Sequence, residues 1–191
     1  PIPVIIFNSE GEFIKSWGEG EFFRPHGIAH DSKDNVYLID DQGHMVEKRD
    51  KDGKLIFRLG DKGKSSPHQS GKIFNLPTDA AIDPDNGEIY ISDGYGNSRV
   101  HKFSEEGEHI LSWGEPGSDP GKFSLPHNIA LTNDKKIIVA DRENFRLQIF
   151  DCDGNFIDQW HVHHPMSVTT DSEDNIYVGE MGPPPVQEGV E

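Results

Sequence analysis

Residues 126–141, with the sequence PHNIALTNDKKIIVAD, contain two short apolar strands on either side of an acidic turn, and the chain repeats this pattern. Each copy opens with a proline, a variable residue and a small or polar residue. The four copies begin at Pro25, Pro77, Pro126 and Pro165, and a third and a fourth strand follow in three of them. Spacings of roughly 40 to 50 residues with four strands in each unit are typical of β-propeller blades. The sequence therefore predicts an all-β propeller.

The turns between the strands agree with this prediction. Asp-Gly pairs at 52–53 and 153–154, and Glu-Gly pairs at 10–11 and 106–107, are hairpin signals between alternating strands. A proline at the first position of a strand costs no ladder hydrogen bond that the sheet needs. The chain shows no helical periodicity of useful length, and its 191 residues suggest a single domain.

The repeat boundaries are compatible with two sizes of propeller ring. We expect a partial blade at 1–18, blades at about 22–61, 74–114 and 123–161, a partial blade at 165–181 and a loop or tail at 182–191. The two partial blades could combine and close a four-bladed ring. Alternatively, the chain is part of a larger ring, six-bladed by the argument below, whose missing blades lie outside this chain. We favour the second alternative, because the segment at 182–189 reads as a loop that leads onward.

Composition narrows the classes of partner. Lys and Arg number 18 against 34 Asp and Glu, a formal net charge of −16. Such a surface repels phosphate backbones and anionic lipids, so we expect no nucleic-acid partner, and no apolar stretch is long enough for a membrane span. The single cysteine, Cys152, excludes an intrachain disulfide. The sequence predicts a soluble protein and leaves open whether it is secreted, periplasmic or cytoplasmic.

The residue after each opening proline is the candidate for chemistry. These residues are His26, Thr78, His127 and Met166. The innermost strands of radial blades start at one rim of the central channel, so these side chains are expected to converge there. Neutral imidazole is a good ligand for zinc and similar divalent metals. In a six-bladed ring, histidine in every second blade would provide three ligands, the third outside this chain. The alternative is that His26 and His127 are polar rim residues that hydrogen-bond to loops.

Three segments carry a resemblance to a known family. They are Pro25-His26-Gly27, Ser92-Asp93-Gly94-Tyr95-Gly96-Asn97-Ser98-Arg99 and Ala140-Asp141-Arg142-Glu143-Asn144. With Pro77-Thr78-Asp79 and Pro126-His127 between them, the chain resembles, in order over residues 22–160, the NHL-repeat propeller of peptidyl-α-hydroxyglycine α-amidating lyase. That family is a six-bladed propeller with a zinc ion held by three histidines.

The resemblance implies a role for five residues. His26 and His127 would be two of the three zinc ligands. Tyr95 would be the catalytic tyrosine, a base or an oxyanion partner for the substrate hydroxyl, and Arg142 would bind or polarise the substrate. The backbone carbonyl of Ile28 would contribute to a structural calcium site. Met166 would not replace a ligand, because its blade lies between those of the second and third histidines.

The sequence also departs from the family. The third histidine and the upstream arginine of the family lie outside this chain. Gly96, Ile138 and Ile149 stand where the animal enzymes have disulfide cysteines. Asp93 and Asp141 are expected to cap the turns that follow them. The cluster at 161–164, which contains three histidines, is expected to be a solvated blade junction.

Two main hypotheses for function follow. The first is a metal-dependent lyase that cleaves a C–N bond of a peptidyl-α-hydroxyglycine-like substrate, a small molecule or a peptide. The second is a non-enzymatic NHL-repeat scaffold that binds a protein or a small ligand on one face. A third, weaker hypothesis is a six-bladed hydrolase or lactonase, for which the sequence shows no identifiable Glu/Asn/Asp set around calcium.

Overall fold

The computed structural model describes residues 4–182, which form sixteen β-strands and one short 3-10 turn. The strands are, in chain order, β1 Val4–Phe7, β2 Phe13–Trp17, β3 Pro25–His30, β4 Val36–Asp40, β5 Met45–Arg49, β6 Leu55–Leu59, β7 Asp79–Ile82, β8 Ile89–Asp93, β9 Arg99–Phe103, β10 His109–Trp113, β11 Pro126–Leu131, β12 Ile137–Asp141, β13 Arg146–Phe150, β14 Phe156–His161, β15 Pro165–Thr170 and β16 Ile176–Glu180. The prediction of an all-β chain is confirmed. The predicted tail lies, beyond Gly182, outside the described residues.

The strands form five antiparallel sheets in which sequence neighbours are also spatial neighbours. Three sheets have four strands, β3–β6, β7–β10 and β11–β14, and two have two strands, β1–β2 and β15–β16. The first strands pack side by side in the order β3, β7, β11 and β15. The sheets are therefore arranged with their innermost strands next to one another, as blades are around a propeller axis.

The core lies between successive sheets. The middle strands are covered on both faces, so all five residues of β8, of β12 and of β13 are buried. Phe74 and Phe103 pack with Tyr37 and Ile39 between the first and second four-stranded sheets, and Phe123 and Phe150 pack with Tyr90 between the second and third. Each such side chain stabilises the fold by about 1.5–3 kcal/mol when it is fully buried.

Buried aspartates at the ends of the second strands hold the segment that enters each sheet. Asp93 accepts the backbone N–H of Asn75 at 3.0 Å, and Asp141 accepts that of Ser124 at 2.7 Å. Each also accepts the side-chain amide of an asparagine in its own turn, Asn97 or Asn144. These carboxylates thus join two connections at once, because they bind both the following turn and the segment before the opening proline.

Residues 4–182 contain no helix that is long and apolar enough to cross a membrane.

Candidate functional site

His26 and His127 are each the second residue of a first strand, and each lies at an irregularity in the strand. The pairing register shifts between Pro25 and Gly27 in β3, and between Pro126 and Asn128 in β11. A residue that is left out of the ladder in this way can aim its side chain away from the sheet face. The same shift occurs at Met166 in β15. The proline at the start of each strand therefore precedes a displaced residue.

The two imidazoles meet around one tyrosine. The ring centres of His26 and His127 are 5.2 Å apart. The Tyr95 hydroxyl lies 3.1 Å from Nε2 of His26 and 2.9 Å from Nε2 of His127. Residues separated by 101 positions in the sequence are thus brought to one point by the packing of the first and third four-stranded sheets around the second.

Backbone carbonyls of the neighbouring sheets orient both imidazoles. Nδ1 of His26 lies 2.7 Å from the carbonyl oxygen of Thr78, and Nδ1 of His127 lies 2.7 Å from that of Met166. A carbonyl only accepts, so each Nδ1 carries the proton and donates it, and in a neutral ring Nε2 presents its lone pair. Thr78 and Met166 follow the opening proline in the two repeats that have no histidine there. Each therefore orients an imidazole of the preceding repeat through its backbone carbonyl.

Tyr95 is carried by the turn between β8 and β9, and two glycines allow the turn to lie against its neighbours. A Cβ at Gly94 would overlap the carbonyl oxygen of Pro126, and a Cβ at Gly96 would overlap the side chain of Asn75. Contact of the Gly94 backbone with Pro126 places Tyr95 beside the residue that precedes His127. The overlap at Gly96 also means that a larger residue there would require Asn75 to move.

The electrostatics keep His127 neutral. Burial is the main cause that lowers the pKa of His127 to about 4, and the charges of Arg142 and His26 add to it, whereas the hydrogen bond to Met166 opposes it. At neutral pH its Nε2 is thus an acceptor.

One phenol proton lies between two Nε2 atoms. When both rings are neutral, the Tyr95 hydroxyl can donate to only one of them, and the second lone pair faces the phenol oxygen without a proton. A site with surplus lone pairs is suited to a cation, and imidazoles whose Nδ1 binds a carbonyl are typical metal ligands. Residues 4–182 bring together no group of three His, Cys, Asp or Glu side chains that could hold a metal ion. In this part of the chain the donors are therefore two histidines and the phenol.

Arg142 lies directly after β12, beside the same tyrosine. Its guanidinium carbon is 5.6 Å from the centre of the Tyr95 ring. Nε donates to Glu143 at 2.8 Å, and Glu143 is also 3.3 Å from Nε2 of His164. The side chain is 16% exposed. The structure therefore places a guanidinium, fixed by Glu143, at the edge of the cluster that His26, Tyr95 and His127 form.

Arg24 lies beside this cluster, and the sequence analysis did not identify it as a site residue. Its guanidinium carbon is 5.8 Å from the centre of the Tyr95 ring, and its Nε lies 2.7 and 2.8 Å from the two carboxylate oxygens of Asp41. A signal was present in the repeat, since Leu76 and Leu125 stand before the equivalent prolines. Arg24 is thus a charged residue at a position that is apolar in two other blades.

Ile28 lies two residues after His26 and pairs with Leu38, and 63% of its surface is exposed. Gly27, the residue between His26 and Ile28, borders the carboxylate of Asp79 in β7. A Cβ built at Gly27 would lie 2.7 Å from Oδ1 of Asp79. Burial raises the pKa of Asp79 to about 7, against N–H hydrogen bonds from Ala80 and Ile129 that lower it. A buried carboxylate, which also accepts the side-chain amide of Asn128, therefore borders the residue before Ile28.

The other candidate side chains lie apart from the cluster. Cys152 donates to the carbonyl oxygen of Lys135 at 3.3 Å. His161 binds the carbonyl oxygen of Phe145, whereas His164 binds Glu143, so these two histidines have separate partners.

A cleft of about 450 Å³ adjoins Tyr95 on the side of the second and third four-stranded sheets. It is lined by polar side chains, among them Gln69, Ser98, Ser124 and Asn144. The cleft therefore reaches the cluster at Tyr95 and at Glu143, the partner of Arg142.

Comparisons with known proteins agree with this architecture. The NHL repeat model matches residues 74–103 and 123–150. The chain is 38% identical over 159 residues to peptidyl-glycine alpha-amidating monooxygenase of Mus musculus, covering 78% of this chain and 16% of that protein. It is 37% identical over 164 residues to peptidyl-alpha-hydroxyglycine alpha-amidating lyase 1 of Drosophila melanogaster, covering 79% and 30%.

NHL repeat-containing protein 3 of Homo sapiens is 33% identical over 168 residues, covering 82% of this chain and 48% of that protein. This chain therefore spans less than half the length of each of the three relatives.

Solved structures establish the fold. Catalytically inactive virginiamycin B lyase from Staphylococcus aureus with quinupristin matches with a TM-score of 0.69 at 15% identity, covering 92% of this chain and 55% of that chain. The WD40 β-propeller domain of Doa1 matches with a TM-score of 0.57 at 15% identity, covering 78% and 44%. At such identities the similarity concerns the fold alone, and the prediction of a β-propeller is confirmed.

Proposed function

Because this chain is an NHL-repeat β-propeller that resembles the peptidyl-α-hydroxyglycine α-amidating lyases, we propose that it cleaves the C–N bond of a peptidyl-α-hydroxyglycine-like substrate. The observation that carries the proposal is the position of the Tyr95 hydroxyl, which lies 3.1 and 2.9 Å from the Nε2 atoms of two histidines. A phenol in that position has a proton acceptor on either side and an arginine at its ring.

The donor set fits zinc or a similar divalent metal. Nε2 of His26 and of His127 would supply two ligands, with Nδ1 of each ring already bound to a carbonyl. Catalytic zinc sites commonly use three protein ligands and keep one position open. When bound, the metal would polarise the substrate hydroxyl and make it more acidic.

The residues of the cluster supply the rest of the chemistry. Tyr95, in its deprotonated form, would take the proton of the substrate hydroxyl, and the carbinol carbon and oxygen would form a carbonyl. The C–N bond would break, and its electron pair would go to the amide nitrogen, which would receive the proton that Tyr95 has taken from the hydroxyl. The products would be an amide and glyoxylate. Arg142 would hold the substrate carboxylate with the N–H groups that it does not use on Glu143.

A calcium site beside Ile28 is a separate proposal. The carbonyl of Ile28 would be one ligand. The buried Asp79 carboxylate beside Gly27 supports a cation in this region, since hard cations prefer such oxygens.

The proposal is tested by turnover of an N-acyl-α-hydroxyglycine, measured as glyoxylate released, together with the zinc content of the purified full-length protein. His26→Ala and His127→Ala are each expected to lower turnover at least about 100-fold and to reduce bound zinc, because each removes one of the converging Nε2 atoms. His68→Ala is the matched control, since His68 is an exposed histidine outside the cluster. Full turnover in the variant that combines His26→Ala and His127→Ala would contradict the proposal.

A non-enzymatic scaffold is the second candidate. The relative from Homo sapiens is named only for its NHL repeats, which favours this candidate. Its signature would be a full-length protein that releases no glyoxylate, contains no zinc, and binds its ligand equally well after both histidines are replaced.

A further inference from the structure

Two guanidinium groups lie beside a single phenol ring. The guanidinium carbons of Arg24 and Arg142 are 5.8 and 5.6 Å from the centre of the Tyr95 ring. They come from different sheets, since Arg24 precedes β3 and Arg142 follows β12. The two side chains therefore come from the first and the third four-stranded sheets and meet beside Tyr95, which belongs to the second.

Each guanidinium is held through its Nε by one carboxylate. Arg24 binds both oxygens of Asp41, whose side chain is fully buried, through Nε and Nη2. Arg142 binds Glu143 through Nε alone. Among residues 4–182, Nη1 of Arg24 and both Nη atoms of Arg142 make no hydrogen bond to the protein. The cluster thus carries unused N–H donors of fixed orientation, which is the geometry that a carboxylate accepts.

The fold itself does not require this pair. Arg24 stands where Leu76 and Leu125 stand in the next two repeats, and Asp41 stands where Gly94 and Arg142 stand after the second strand. Arg24 therefore departs from the leucine of the two following repeats, whereas the position of Asp41 holds a different residue in each repeat. The Arg24 side chain is also 49% exposed, so it remains available to a ligand.

We propose that Arg24 is a second anion-binding residue which, together with Arg142, makes the site select substrates that end in a free carboxylate. This inference rests on the proposed function for the identity of the site, and it adds the residue and the substrate feature that decide specificity. Asp41 is a positioning residue in this proposal, because it orients the guanidinium of Arg24 and does not touch the substrate.

Binding of an unreactive ligand tests the inference without turnover. The probes are an N-acylglycine, which has the carboxylate and lacks the hydroxyl, and the corresponding N-acylglycinamide, measured by isothermal titration calorimetry with the full-length protein. The wild type is expected to bind the acid at least about tenfold more tightly than the amide. Arg24→Gln should weaken acid binding about tenfold and leave amide binding unchanged. Arg24→Lys should give an intermediate loss, because it keeps the charge without the fork.

Arg58→Gln is the matched control. Arg58 also binds a buried carboxylate, that of Glu47, through Nε and a second nitrogen, but it lies on β6 away from the cluster. It should not change the preference for the acid. Asp41→Asn should reduce the preference, and thermal unfolding checks that each variant is folded.

The outcomes separate this inference from the lyase proposal. If wild type and Arg24→Gln bind the acid equally well, or if the wild type does not distinguish acid from amide, the inference is overturned even where glyoxylate is released. If the acid preference is lost in Arg24→Gln but no protein form releases glyoxylate, the inference holds and the lyase proposal fails. In an active enzyme, Arg24→Gln should raise KM about tenfold with little change in kcat.

Discussion

The single proton of Tyr95 is the most constrained feature of the cluster. The phenol oxygen lies within hydrogen-bond distance of two Nε2 atoms, and each of those rings is fixed by a backbone carbonyl through Nδ1. The phenol ring also packs edge-on against both imidazoles. Removing the hydroxyl therefore changes the hydrogen bonding of the cluster while leaving its packing in place.

Tyr95→Phe should accordingly lower kcat by about 10²–10⁴-fold, because the proton acceptor for the substrate hydroxyl is lost. The ring remains, so the midpoint of thermal unfolding should stay close to that of the wild type. Glyoxylate release and a thermal melt measure the two effects. Tyr177→Phe is the control, since it removes an exposed hydroxyl that binds Asp171 far from the cluster. Wild-type kcat in Tyr95→Phe would exclude Tyr95 as the base.

At the scale of single elements, the acidic turns have a structural role. Asp151 accepts the N–H groups of the residues two and four positions later, and Asp171 does the same. Asn8 and Ser104 perform this role in the hairpins β1–β2 and β9–β10. The side chain that starts the turn satisfies two backbone donors. Part of the negative charge of the chain therefore comes from turn construction and carries no information about partners.

The hairpin β15–β16 should lose stability in acid. Hydrogen bonds from Asn175, Glu173 and Tyr177 lower the pKa of Asp171 to about 2, with the Asn175 side chain as the largest cause. Because this pKa lies below the unfolded value of about 3.9, the contribution is complete above about pH 5 and is lost progressively as the pH falls toward 2. Hydrogen exchange of the hairpin amides as a function of pH measures it. Asp171→Asn should flatten the profile, and an unchanged slope would be evidence against the turn assignment.

At the scale of the whole molecule, the site depends on how closely adjacent sheets approach. Gly94 lies against the carbonyl oxygen of Pro126, and the Thr78 hydroxyl donates to the same oxygen at 2.9 Å. One carbonyl at the start of β11 therefore contacts two segments of the preceding sheet. This contact connects the turn of Tyr95 to the strand of His127.

Gly94→Ala should destabilise the protein by about 1–3 kcal/mol, because the added methyl group overlaps the Pro126 carbonyl and forces the two sheets apart. The midpoint of urea unfolding measures the loss, and glyoxylate release should fall with it as Tyr95 moves. Gly182→Ala is the matched control, since a Cβ at Gly182 would meet no atom of residues 4–182 and its backbone is not left-handed. Equal stability of Gly94→Ala and the wild type would show that the sheets do not pack this closely.

The strands, their order and the all-β class follow from the sequence alone, because alternation, turn residues and the opening prolines are local signals that recur in every repeat. The repeat positions of His26 and His127 are also enough to nominate them, and the family resemblance nominates Tyr95, whereas the distances between the three side chains do not follow from the sequence. The repeat shows that Arg24 replaces a leucine, but nothing local relates Arg24 to Tyr95, 71 positions away. The contact arises from sheet-to-sheet packing, which sets the approach of the rims.

Sheet packing also determines that the carbonyls of Thr78 and Met166 orient the two imidazoles. A backbone carbonyl is the same for every residue type, so this role cannot be read from the sequence. Local chemistry thus determined which elements form, and the tertiary structure alone decided which side chains they bring into contact.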